Sequence, residues 1–103
     1  MKKFITFGHH NATLERVKST ATLQLNTIPA NIPLYMPLAE LADAMNQVDF
    51  FNIVSILPGK GKIVFTVSKG ATNSDVIDAT CNVIDEVFDT NPVVSNERIE
   101  EIV

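Results

Sequence analysis

The chain has a single cysteine, Cys81, and no tryptophan among its 103 residues. A lone thiol closes no intrachain disulfide and builds no cysteine-based zinc site within one chain, so stability must come from a packed core. Long apolar runs are missing too, and nothing approaches the roughly 20 residues of a membrane-spanning helix. The opening "MKKFITFGHH" starts like a secretory signal. Its apolar stretch runs only from Phe4 to Phe7 before Gly8, His9 and His10 interrupt it, and no small-residue cleavage site follows. The expectation is a cytoplasmic protein with no membrane contact, in which the sequon Asn11-Ala12-Thr13 is a chance match.

Catalytic signatures are equally scarce. There is no Gly-x-Ser-x-Gly elbow, no His-Glu-x-x-His and no dinucleotide fingerprint. Gly59-Lys60-Gly61-Lys62 is not a phosphate loop, because it leads into an apolar alternation rather than a helix and no hydroxyl follows its lysines. Nor does "KGKIVFTV" make an RNA-stacking strand, since Lys62 and Val64 stand where outward rings are needed. Adjacent strand residues point to opposite faces, so His9 and His10 do not share a metal ion; one is expected in or near the core and one exposed. Cys81 has Asp78 and Asp85 as helical neighbours, which raise a thiol pKa rather than activate it. These readings exclude a recognisable enzyme and imply neither cofactor nor metal.

What is present is a hydrophobic content of 46%. In one domain spanning 1–103 that suffices to bury roughly two thirds of the unfolded surface. Ile5 and Phe7 against Phe4 suggest a short strand over residues 3–9, and Val17, Ala21, Leu23 and Leu25 alternate with polar residues as a half-buried strand to Asn26. Three prolines make 28–37 an irregular crossing. Leu38, Leu41, Ala42, Met45 and Val48 then predict a helix over roughly 37–48. "DFFNIVSIL" and "KIVFTVS", joined by Pro58-Gly59-Lys60-Gly61, predict a hairpin. Thr72 and Asp75 form a capping pattern ahead of a second helix with Val76, Val83, Ile84 and Val87 on its apolar face, ended by Asn91-Pro92. The tail over 92–103 reads equally as a short helix or an edge strand.

The order is ββαββα, and its economical packing is an α+β two-layer sandwich: a four-stranded antiparallel sheet with two helices on one face, ferredoxin-like or a circular permutation of that fold. The helix-facing side would hold Val17, Leu23, Leu25, Ile63, Phe65 and Val67. The open sheet face would show Lys18, Thr20, Thr22, Gln24, Thr66 and Ser68, together with Lys62 and Val64.

Charge is unevenly spread. Through Gly70 there are seven basic and four acidic residues; from Ala71 onward there are eight acidic residues against Arg98 alone. Asp85, Glu86 and Asp89 crowd the end of the second helix, where the helix dipole disfavours them. They form an expected acidic partner surface unless a basic neighbour such as Arg98 or Lys18 offsets them. The resulting expectation is a small non-enzymatic protein–protein binding module that self-associates, its partner being another protein or a second copy, with nucleic acid disfavoured. The alternative is a binder of a small anionic ligand or a nucleic-acid backbone through Lys60, Lys62 and Lys69 around the 57–70 hairpin.

Overall fold

The computed structural model describes residues 1–8, 10–26 and 35–96. Six strands and two helices follow one another as β1 (Lys2–Phe7), β2 (His10–Val17), β3 (Thr20–Leu25), α1 (Tyr35–Met45), β4 (Phe51–Leu57), β5 (Lys62–Val67), α2 (Asn73–Phe88) and β6 (Val93–Ser95). The strands make one open antiparallel sheet in the order β4-β5-β3-β2-β1-β6.

The period of two assigns each strand a face. Ile5 and Phe7, Ala12 and Leu14, Ala21, Leu23 and Leu25, and Ile63, Phe65 and Val67 are all buried, and they join Leu38, Leu41 and Met45 of α1 and Val76, Val83 and Ile84 of α2 in one core. Both helices therefore lie on the same side of the sheet. Thr80 is the buried polar residue of α2, and its hydroxyl donates to the Val76 carbonyl at 2.7 Å, so no donor is stranded. Phe65 packs its ring 4.7 Å from that of Phe51, which ties β5 to the strand beyond it.

The local signals act as their chemistry requires. A 3-10 turn over Pro58–Lys60 joins β4 to β5, and Gly61 takes a left-handed φ of 63° as the chain re-enters the sheet. Thr72 accepts from the Asp75 amide while the Asp75 carboxylate accepts from the Thr72 amide, completing the capping box that starts α2. α2 stops at Asp89, which adopts the left-handed C-cap conformation, two residues ahead of the expected Asn91-Pro92 stop. α1 begins at Tyr35, so Pro37 sits inside the first turn, where a missing amide costs nothing.

The sheet departs from the expected four strands and from the ferredoxin-like order. The polar-looking "HNATLERV" is the full strand β2, and the single strand expected over Val17–Asn26 is broken by the turn at Lys18-Ser19. Val17 ends β2 on the solvent side, 65% exposed, and is not part of the helix-facing row. β1 is an interior strand, because Val93–Ser95 pairs along its outer edge. The tail thus supplies a strand at 93–95. Its later residues, Arg98 among them, lie outside the described residues, as do His9 and most of the expected crossing at 28–37.

Candidate functional site

Arg16 is the residue that organises the most unusual corner of the molecule. It occupies a helix-facing position at the end of β2, where Ala12 and Leu14 before it are buried, yet its guanidinium reaches out of the layer instead of into it. Nε donates to the Lys18 carbonyl at 2.7 Å, and Nη1 donates to the Ala71 carbonyl at 2.8 Å and to Asn73 Oδ1 at 3.3 Å. The arginine thereby fastens the β2–β3 turn to the start of α2. The Val67 amide donates to the Ser19 carbonyl at 2.8 Å, which brings the end of β5 and Lys69 to the same turn.

The result is an open recess of about 370 Å³ whose wall, among the described residues, holds Arg16, Lys18, Ser19 and Lys69, three cations and no carboxylate. A second recess of about 380 Å³ adjoins it at Thr72 and Asn73. Among the described residues the acids nearby are otherwise engaged or outside the wall: Glu15 lies 3.9 Å from Lys2, and Asp75 is held in the capping box. Asp49 belongs to the turn before β4 and does not line the recess.

The backbone at this turn is unusual. Val17 pairs with Thr20, leaving the two-residue turn Lys18-Ser19, and Lys18 holds a φ of 58°. Such a φ is the province of glycine or asparagine in hairpin turns, and a lysine there carries a cost of order 1 kcal/mol.

The opposite end of α2 is acidic. Asp85, Glu86 and Asp89 are all exposed, and no ion pair holds them among the described residues. Asp85 and Glu86 lie in the last turn of α2 and Asp89 is its C-cap, so all three crowd the negative end of the helix dipole. Phe88 packs 5.1 Å from Phe7 and 6.0 Å from His10, so this end of the helix lies over the β1–β2 connection, and His10 is half-buried against aromatic rings. α2 has sixteen residues, and at 1.5 Å per residue the two charged ends are about 24 Å apart. Lys18 stands beside the other end of α2 and does not offset these acids.

The three lysines of the 57–70 hairpin do not converge. Lys60 and Lys62 lie at the turn end of β5 and Lys69 beyond its far end, about 20 Å away at 3.3 Å per residue. Lys69 belongs instead with Arg16 and Lys18, a grouping that sequence spacing does not reveal. On the open sheet face, Thr20, Thr22 and Gln24 face Thr66, Val64 and Lys62 across the β3–β5 ladder. Lys18 and Ser68 lie outside the strands, in the turn and after β5. Burial first and Asp78 second push the Cys81 thiol above its ordinary value, so it is no activated nucleophile. No cluster of three potential metal ligands occurs among the described residues, and no described helix is long and apolar enough to cross a membrane. Comparison with known proteins returns no match, whether to a family model, a curated protein or a solved structure.

Proposed function

We propose that the chain is a non-enzymatic protein-contact module that associates with further copies of itself, the basic recess of one molecule receiving the acidic end of α2 of the next. The observation that carries this reading is the placement of opposite charges at two positions of left-handed backbone, one at each end of α2. Among the described residues, the non-glycine positions of positive φ are Lys18, at 58°, and Asp89, at 52°. One sits at each charged end of the molecule. Aspartate tolerates the left-handed region and lysine does so at a cost, so Lys18 in particular sets a charge where an uncharged glycine would fit more easily.

The electrostatics agree. The positive end of the α2 dipole adjoins the three cations, and its negative end carries three acids, so each end concentrates one sign and complements the other. A contact between unlike patches is head-to-tail, and repeats until the rotation closes a ring or runs on as a fibre. Exposed charges steer and orient more than they bind, so the contact is weak and salt-sensitive.

The test is sedimentation at low and high salt for two charge reversals, Lys18→Glu/Lys69→Glu at one end and Asp85→Lys/Glu86→Lys/Asp89→Lys at the other. Wild type should gain mass at low salt, each reversal alone should abolish that gain, and an equimolar mixture should restore it because each variant supplies the sign the other lost. An undiminished gain in either variant alone refutes the proposal. So does a recess that retains heparin or inorganic phosphate strongly, loses it in Lys18→Glu/Lys69→Glu, and shows no salt-dependent mass; that result assigns the cations to a free anion or a nucleic-acid backbone.

A further inference from the structure

We infer that the recess beside the β2–β3 turn is also a binding site for a dianionic phosphate group, free or carried by a small ester, which competes there with the acidic end of α2. The binding stands on the recess itself; its effect on association rests on the self-association reading above. Lysines at strand turns usually serve solubility, and this corner differs in how its backbone acceptors are used. The Lys18 and Ala71 carbonyls accept from Nε and Nη1 of Arg16, at 2.7 and 2.8 Å, and the Ser19 carbonyl accepts from the Val67 amide at 2.8 Å. The Arg16 carbonyl accepts from the Met1 amine at 3.0 Å. Carbonyl oxygens that would turn partial negative charge toward an anion are therefore engaged by donors, and the corner is left rich in positive groups.

The cations themselves are of two kinds. Bonds from Nε and Nη1 fix the guanidinium plane of Arg16, and Nη2 has no hydrogen bond or ion pair among the described residues. Lys18 and Lys69 pair with no carboxylate among those residues either. A planar donor held in place with capacity left, flanked by two ammoniums that adjust as point charges, is a combination that grips phosphate oxygens. Charge decides the class of ligand. The wall offers three cations to one occupant; a lone carboxylate brings a single negative charge, whereas a phosphate ester brings about 1.5–2 and several strong acceptor oxygens on one atom. Room agrees with charge. At about 370 Å³ the recess is within the usual range for small ligands, roughly 300–1,000 Å³. The adjoining recess of about 380 Å³ shares Arg16 and Lys18 and offers Thr72 and Asn73 as a polar wall for the rest of an ester.

The experiment is a titration with inorganic phosphate, and in a second arm with glycerol phosphate, followed by backbone amide shifts. Ionic strength is held at about 0.15 M with NaCl so that screening stays constant. The chain carries Asp85→Asn/Glu86→Gln/Asp89→Asn, which keeps the recess and removes its competitor. Shifts at Lys18, Ser19 and Lys69 should saturate while Lys60 and Lys62 stay unmoved, and the tighter arm identifies the source as free phosphate or an ester. Adding Lys18→Gly should weaken binding about tenfold, the effect of one lost charge-assisted hydrogen bond, yet raise the thermal midpoint, because glycine takes the left-handed turn without strain. Loss of binding in that variant is therefore not loss of fold. Shifts that stay linear, fall equally on Lys60 and Lys62, or survive Lys18→Gly overturn the inference. In wild type at low salt, exchanging chloride for phosphate at equal ionic strength should lower the sedimenting mass; an unchanged mass overturns the competition. If the titration saturates in a chain that never gains mass, the phosphate site stands and the end-to-end contact fails.

Discussion

Removing the guanidinium of Arg16 should detach the β2–β3 turn from α2, and the size of the effect can be worked from its contacts. Arg16→Ala deletes the donations to the Lys18 and Ala71 carbonyls and the longer one to Asn73. Hydrogen bonds to a charged group contribute about 1.5–3 kcal/mol when water is excluded. Only the Ala71 contact is partly buried, and the other two are exposed, so water replaces much of what they provide. The sum is about 2–3 kcal/mol. At roughly 4–8 °C per kcal/mol for a domain of this size, the thermal midpoint should fall by about 10–20 °C. Arg16→Lys is the sharper variant, because a single ammonium cannot reproduce the planar fork that reaches two carbonyls at once. It should recover less than half of the loss. Thermal unfolding followed by circular dichroism in high salt isolates the effect from association. If Arg16→Lys unfolds at the wild-type temperature, positive charge at that place suffices and the clamp reasoning is wrong.

Two further outcomes follow from the same structure. Phe65→Ala should cost about 3–5 kcal/mol in urea unfolding, whereas Val64→Ala, its neighbour on the open face, should cost under about 1.5 kcal/mol; equal losses would mean that the faces of β5 are misassigned. Cys81 has a raised thiol pKa in the fold, from burial and then Asp78, so the unfolded chain releases this proton first. Its contribution to stability is complete below the ordinary thiol value of about 8.5 and is lost as pH rises through the folded value, so alkaline destabilisation should be steeper in wild type than in Cys81→Ser. Parallel urea midpoints against pH for the two proteins would contradict this.

The parts of the fold that were legible in sequence are those with local chemistry. Pro58-Gly59-Lys60-Gly61 marks the β4–β5 turn because those residue types supply its dihedrals, and Thr72 with Asp75 marks the start of α2 because the two groups bond each other. β2 was hidden for the opposite reason. Its last inward position holds Arg16 where a hydrophobe is expected, and the turn after it contains lysine and serine in place of glycine or asparagine. Val17 then falls into phase with Ala21, Leu23 and Leu25, and two strands read as one. The candidate site was obscured by the same residues. The acidic end of α2 is contiguous in sequence and can be read directly, but Arg16, Lys18 and Lys69 meet only because β3 lies between β2 and β5.

The three-residue strand β6 has a consequence for how the chain folds and opens. Its pairing sets Ile5 against Val94, closing a loop of roughly ninety residues, and three rungs return little against the entropy that such a long-range closure costs. None of its residues is buried, so few apolar contacts hold β6 down once it has docked. The β1-β2-β3 meander, built from neighbouring segments, can form before that long-range closure and persist when it is undone. Release of β6 bares the outer backbone of β1. The edge of β1 is thus exposed only while β6 is released, a lifetime set by three rungs rather than by the core.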